Sequence, residues 1–336
     1  MKLGILTAFD NYHKYYIRAC DDLGIDYEVV DIIAPDWLER IQKSACNGFL
    51  CRPPSKFQER KNMFDEKLYI IHYFLKIPIY PSYYELYLYE NKRMTSYWLD
   101  LFGFPKPETF VFYKKNDFVK FIDEYSGFPI VVKSNIGSTS KGVSVVRSRQ
   151  QAKNIANKVF GLINPKLARG YTSIKTGRII PFPSWGSREK HFVIVQKFEK
   201  IKWEWRVSKI DDSYFSHKKL LVGDFASGSR KKEYGKAPEK LFFMVKEICE
   251  KGKFYSMAVD IFETEDGRFL VNELQSLFGQ YSRDILYIDG IAGRMVLKGD
   301  KFVFENGEFN QHKSYLLRVK HFIKILNELK KSNHEN

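Results

Sequence analysis

Short apolar runs broken by charged or small residues recur along the chain, and their period switches between strand-like and helix-like. Residues 2–7 read as a strand with Phe9, Asp10 and Asn11 in the turn after it. Residues 15–23 read as a helix capped by Gly24, and residues 27–32 as a second strand with Asp31 near its end. A helix over 37–43 and a strand over 48–51 continue the alternation. Such alternation predicts an open parallel sheet, in which the loops after strand C-termini face a ligand crevice. Asp10, Asn11 and Arg52 stand in such loops as candidate substrate contacts, although turn and capping chemistry explains each equally well. The first turn lacks G-x-G-x-x-G, which disfavours a dinucleotide site.

Residues 64–75 read as an aromatic-rich helix and 78–81 as a short strand. Glu90, Asn91 and Lys92 open a helix that ends at Leu101, before Gly103 and two prolines. A strand over 109–112 and a helix over 117–125 lead into the central stretch, Gly127 to Val146. There the β-branched residues Ile130, Val131 and Val132 run to Lys133, a small-residue loop spans 134–142, and a strand covers 143–146. Small residues let backbone N–H groups approach a polyphosphate, and Lys133 and Lys141 add charge. G-x-x-x-x-G-K-[ST] is absent, so this is no Walker loop, and a plain serine-rich hairpin fits the same letters.

A helix over 149–160 precedes an aperiodic stretch, 161–190, whose length points to function or mobility. A strand over 191–196 reaches the hinge Lys197, Phe198 and Glu199. Strands over 203–210 and 214–221 form a meander around Asp211, Asp212 and Ser213, and Gly252 caps a helix over 239–251. The hairpin within 256–278 turns at Asp266 and Gly267, which sets Asp260 opposite Glu273. Facing carboxylates repel by a few tenths of a kcal/mol to about 1 kcal/mol, and a divalent cation reverses that sign. Gln275 shares the face of Glu273, and Asp260 stands in an apolar run where a carboxylate needs a partner. Residues 315–329 form an amphipathic basic helix suited to core packing or dimerisation rather than membrane docking.

At 336 residues the chain suits two or three lobes, and 44% hydrophobic with 28% charged residues marks a globular chain rather than a disordered one. Its apolar runs are too short for a membrane span, and its first residues read as a strand rather than a signal peptide. The four cysteines lack metal-ligand spacing, which points to buried thiols in a reducing cytoplasm. A net charge of +15 admits nucleic acid, an anionic membrane surface or a polyanionic substrate. No nucleic-acid-binding motif accompanies it.

In this order the pieces resemble the ATP-grasp superfamily over roughly residues 89–279. Lys92, "FPIVVKSNIGSTSKGVSVV", "VIVQKFE" and "VDIFETEDGRFLVNELQ" occupy the places of its helix lysine, phosphate hairpin, adenine hinge and metal hairpin. The resemblance implies an α/β protein of ATP-grasp fold with an N-terminal Rossmann-like pre-ATP-grasp lobe over 1–88. A small subdomain with the phosphate-covering loop would span 89–195, and a large subdomain with the metal hairpin and C-terminal helix 196–336. It further implies that Lys92 and Lys133 contact the nucleotide phosphates and that Ser138, Thr139, Ser140, Lys141 and Gly142 fold over them. Gln196, Lys197 and Phe198 would line the adenine, and Glu199 or Glu204 would hold the ribose. Arg206 and a lysine at 218 or 219, with Lys218 taken first, match basic phosphate-binding positions. Asp260, Glu273 and Gln275 would bind magnesium, with manganese as a substitute. Gln275 stands where asparagine is usual, which puts a second metal in question.

Arg230 is the candidate for steadying an acyl phosphate, with a solvated basic turn as the competing explanation. The implied activity is ATP-dependent carboxylate–amine ligation in the cytoplasm, through an acyl phosphate. Its substrates would be a small or polymeric carboxylate and an amine, and the charge suggests an anionic partner; a homodimer is compatible. Residues 161–190 would serve as a lid, and 281–284 with Asp289 and Gly290 as a cover. The alternatives are an ATP-binding regulatory or scaffold module without turnover, phosphoryl transfer to a non-carboxylate acceptor, and a basic polyanion binder.

Overall fold

The computed structural model describes residues 1–55, 57–137, 142–161, 171–172, 179–180, 191–226, 231–278 and 284–334. The first of its three main sheets is parallel, in the order β2–β1–β3–β4, from β1 (Lys2–Thr7), β2 (Asp26–Asp31), β3 (Phe49–Leu50) and β4 (Ile79–Tyr80). Helices α1 (His13–Asp22), α2 (Trp37–Lys43) and α3 (Gln58–Tyr69) connect these strands, as the alternating periods predict. α3 begins well before residue 64 because Lys61, buried on its inward face, pairs with Asp65 at 2.5 Å. A lysine there masks the apolar stripe.

α4 (Tyr83–Leu88), which the pattern does not announce, is started by Ser82, whose Oγ accepts from the Glu85 N–H. Asn91 likewise caps α5 (Lys92–Leu101) by accepting from the Met94 N–H at 3.2 Å. The second sheet is antiparallel, in the order β5–β10–β6–β7, from β5 (Thr109–Phe112), β6 (Ile130–Lys133), β7 (Val143–Val146) and β10 (Val193–Lys197). Helices α6 (Lys115–Glu124) and α7 (Arg149–Phe160) cover it through Phe118, Ile122, Ala152 and Ala156. The short pair β8 (Tyr171–Thr172) and β9 (Ile179–Ile180) lies between β7 and β10 in sequence.

The third and largest sheet runs β17–β16–β11–β12–β19–β18. Its strands are β11 (Ile201–Ile210), β12 (Ser213–Lys219), β16 (Ser256–Thr264), β17 (Phe269–Gln275), β18 (Tyr287–Ile288) and β19 (Ile291–Lys298). Here β15 (Lys232–Tyr234) pairs with β12, and β20 (Lys301–Asn306) with β19; β13 (Leu221–Val222) and β14 (Phe225–Ala226) form a separate small hairpin. α8 (Glu239–Gly252) packs on this sheet through Leu241, Phe242, Val245 and Ile248. Gly252 belongs to the helix, and the left-handed cap is Lys253. The glycine is needed for another reason, since a Cβ there would lie 2.2 Å from the Phe254 ring.

α9 (Tyr315–His334) then returns to the first sheet and packs Val319, Phe322 and Leu326 against Leu3, Ile5 and Tyr16. The apolar face of this basic helix is thus covered within the chain. Among the described residues no helix is long and apolar enough to cross a membrane. All four cysteines are free thiols, and three are buried.

Candidate functional site

A crevice opens between the second and third sheets, lined by Lys92, Lys133 and Gln196 on one wall and Asn272 and Glu273 on the other. β6 delivers Lys133 because the alternation that buries Ile130 turns every second residue away from the core. Its Nζ donates to Asn272 Oδ1 at 2.8 Å, and burial pushes its pKa down to about 8. Lys92, in the first turn of α5, donates to the Gly137 carbonyl at 2.7 Å and lies 3.9 Å from the Glu273 carboxylate. The Gly137 N–H donates to buried Glu90 at 3.1 Å, so an acid and a base two residues apart hold the two peptide groups that flank one loop residue. The loop base is closed where Ser134 N–H meets the Gly142 carbonyl at 2.7 Å. Ser138, Thr139, Ser140 and Lys141 lie outside the described residues.

Gln196 is buried in the same wall, its amide donating to Thr109 Oγ1 at 3.2 Å. Lys197 is exposed with its backbone N–H on the Glu108 carbonyl, and Phe198 is half-buried beside it. Glu199 accepts from Arg268 at 2.8 Å. Glu204 is buried behind the crevice-lining Asn272, which donates to it at 2.7 Å, with Lys219 at 2.5 Å on its other side. Burial raises the Glu204 carboxyl above its ordinary value against the pull of Lys219.

The third sheet contributes a row of side chains across five strands, since Glu273 pairs with Asp260, Asp260 with Arg206, Arg206 with His217, and His217 with Tyr234. At the ~4.8 Å strand spacing the row is about 19 Å long. Asp260 is 1% exposed and accepts a two-pronged contact from Arg206, Nε and Nη2 each at 2.7 Å, with Lys219 at 2.5 Å. Burial opposes its charge, but Arg206 and Lys219 outweigh that and hold its carboxyl well below the usual range. Burial, reinforced by Arg206 and Lys219, keeps His217 neutral far below its ordinary pKa.

Lys219, not Lys218, lies on this face. Lys218 extends over Trp203 and Trp205, 4.4 and 5.2 Å from their ring centroids, and pairs with Glu233. Alternation separates the two lysines but cannot say which face meets the crevice.

Asp260 and Glu273 face each other as the turn symmetry predicts, with Gln275 two residues further along β17. The hairpin also holds an unforeseen residue. Asp260 pairs with Glu273 and Ile261 with Val271, so Asn272 is the extra residue of a β-bulge. The bulge sends Asn272 and Glu273 into the crevice together. A polar residue in phase with Leu270 and Leu274 was the signal for it in the sequence.

Glu273 faces Lys92 and Lys133 across the crevice, with Asp260 paired to it and Gln275 two residues on, an oxygen-rich set that suits a hard divalent cation sharing its shell with phosphate. Glu273 is open for this, whereas Asp260 would first have to release one of its cationic partners. Among the described residues no third acid, histidine or cysteine joins them. Arg230 and residues 281–283 lie outside the described residues, Asp284 is buried and accepts from the Phe309 N–H, and Asp289 and Gly290 form the β18–β19 turn.

Residues 90–178 match the family described as the RimK-like ATP-grasp domain. No curated protein matches the sequence. Among solved structures, the D-alanine–D-alanine ligase of Bacillus anthracis complexed with ATP is 16% identical, with TM-score 0.58, and the match covers 99% of each chain. The N5-carboxyaminoimidazole ribonucleotide synthetase of Thermotoga maritima is 17% identical, with TM-score 0.52 and coverage of 82% of this chain and 68% of that one. A RimK domain ATP-grasp protein from Sphaerobacter thermophilus is 18% identical, with TM-score 0.52 and coverage of 82% and 90%. With TM-scores of 0.52 to 0.58 against these structures and the matching segment at 90–178, the chain has the fold of the ATP-grasp superfamily.

Proposed function

We propose that this protein is an ATP- and magnesium-dependent ligase that activates a carboxylate as an acyl phosphate and joins it to an amine. The observation that carries this reading is the opposition of Lys92 and Lys133 on one wall to Glu273 on the other, with the Asp260–Arg206 pair next to Glu273 on the third sheet. The lysines are sited for nucleotide phosphates, Gln196 with Lys197 and Phe198 for the adenine, and Glu204 for the ribose. Glu273 and Asp260, with the Gln275 amide oxygen, would hold a divalent cation, which supplies neutralising charge to the transferring phosphoryl group. Arg206 and Lys219 add positive charge on the same face. The substrate carboxylate attacks the γ-phosphorus, the bond to ADP breaks, and the amine then displaces phosphate from the acyl carbon. In such a site the side chains act by positioning and charge neutralisation and form no covalent bond. The ligase and synthetase names among the structural relatives support this class.

A second reading, an ATP-binding module without turnover, is favoured by the engagement of both Asp260 oxygens by Arg206 and Lys219. The test begins with thermal unfolding in magnesium with ATP, GTP or ADP, for wild type beside Lys133→Ala. A ligand at a hundred times its dissociation constant stabilises by about 2.7 kcal/mol. A magnesium-dependent ATP rise absent from Lys133→Ala is expected, and no rise with any nucleotide would remove the reading. Hydroxylamine trapping over a carboxylate panel then decides turnover. Hydroxamate formed with ATP, and lost in Asp260→Asn with Glu273→Ala, supports the ligase; nucleotide binding without hydroxamate supports the module.

A further inference from the structure

We propose that Arg52 and Lys313 form an anion-binding recess at the edge of the first sheet, which takes the carboxylate or phosphate group of a substrate. That the anion belongs to a ligase substrate rests on the function proposed above; the recess itself does not.

Arg52 follows β3, on the side of a parallel sheet where ligands bind. Its guanidinium lies 3.7 Å from the centroid of the Tyr12 ring and donates to the Tyr315 hydroxyl at 2.8 Å. Among the described residues no carboxylate pairs with it, and its electrostatic neighbours are Tyr315, Tyr89 and Tyr12. Asp10, in the same turn as Tyr12, accepts from that residue's backbone N–H instead. A sheltered guanidinium cannot shed its proton, so its charge is left for a ligand to balance.

A second cation is brought to the same ring by an unusual backbone. His312, Lys313 and Ser314 have φ of 51°, 60° and 67°, three successive non-glycine residues in the left-handed region. The turn is held by Ser314 Oγ on Asn310 at 2.8 Å, by His312 on Asp22 at 2.7 Å, and by Arg318 on the Lys313 carbonyl. It carries the Lys313 ammonium to 4.3 Å from the Tyr15 centroid and 5.6 Å from that of Tyr12. Strain of this kind persists where the surroundings enforce it, and it gathers at ligand clamps.

Two cations thus converge on Tyr12, and a fork-shaped guanidinium suits the paired oxygens of a carboxylate or phosphate. Tyr89 lies beside Arg52 and directly precedes Glu90, Asn91 and Lys92 of the crevice. Tyr89 thus links the recess through the chain to the segment that carries Lys92.

The test uses the whole protein with magnesium and a saturating non-hydrolysable ATP analogue, which fills the γ-phosphate position, so that phosphate cannot report on the nucleotide crevice. Thermal unfolding is followed in sodium phosphate and in sodium acetate against sodium chloride of equal ionic strength. At ten times the dissociation constant the midpoint should rise by about 2 °C over chloride. The rise should vanish in Arg52→Met and weaken in Lys313→Ala, and the probe that gives the larger rise separates phosphate from carboxylate recognition. No rise over chloride, or an equal rise in Arg52→Met, would overturn the recess. Should Arg52→Met fail to fold, an undiminished rise in Lys313→Ala overturns it and a weakened one supports it. A rise with anions but none with magnesium and the ATP analogue would keep the recess and discard the ligase reading.

Discussion

Arg206 on the large sheet and Arg52 beside the first sheet stand in opposite electrostatic settings. Arg206 shares two hydrogen bonds with Asp260, which Lys219 also contacts, so the charges of the large sheet neutralise one another. Arg52 pairs with no carboxylate among the described residues and contacts tyrosines instead. Glu85 supplies a third case with the opposite sign. It is fully buried, its Oε2 accepts from Tyr255 N–H at 2.5 Å, its Oε1 has no partner, and no cation pairs with it among the described residues. Burial pushes its carboxyl up to about 8, so it resolves its isolation by keeping a proton. An arginine has no such exit. A buried charge must be paired, be neutralised or await a ligand, and this chain uses all three.

The contrast is broken most severely at Asp260. Asp260→Ala leaves Arg206 and Lys219 without their shared acceptor and should lower stability by roughly 3–5 kcal/mol in urea unfolding. A loss below about 1 kcal/mol would mean that water already screens the row.

Glu85 gives the next effect, through pH. Its native pKa, about 8, lies above the ordinary 4.5, so between those values the folded state keeps a proton that the unfolded state has released. Stability therefore falls as pH rises through that window, by at most about 1.4 kcal/mol per unit. Glu85→Gln should flatten the dependence of the urea midpoint on pH, and an unchanged slope would assign it to other groups.

Asn272→Ala sharpens the picture at smaller scale. It removes the acceptor of Lys133 and a donor to Glu204, and should lower stability by about 1–2 kcal/mol. Calorimetric titration with Mg·ADP should show weaker binding as well, and unchanged affinity would make the asparagine purely structural. Arg52→Met closes the series, with unfolding in the absence of added anion expected within about 0.5 kcal/mol of wild type or slightly above it. A large loss would show that the tyrosines need the guanidinium for packing.

What could be read from the sequence was local. Lys133 follows from strand alternation, and the facing of Asp260 and Glu273 follows from the symmetry of their turn. Asn272 was hidden because a bulge suspends that alternation for one residue, and Lys61 hid the start of α3. The choice of Lys219 over Lys218 required knowing that two tryptophans of β11 claim the other face. Arg52 could be flagged by its place after a strand, but its isolation depends on Tyr315, which is 263 residues away. Strands β19 and β20 gave no pattern because their burial does not alternate regularly.

The position of α9 has a consequence for how the protein is made. Tyr315, Val319 and Phe322 complete the core around Leu3, Ile5 and Tyr16, so this segment is sealed by one synthesised some 300 residues after it. Domains commonly fold as they emerge from the ribosome, N-terminal first. Here the outer face of the first sheet must wait through the synthesis of both other sheets with its apolar residues uncovered. That interval, rather than the finished fold, is when a chaperone would have a surface to hold.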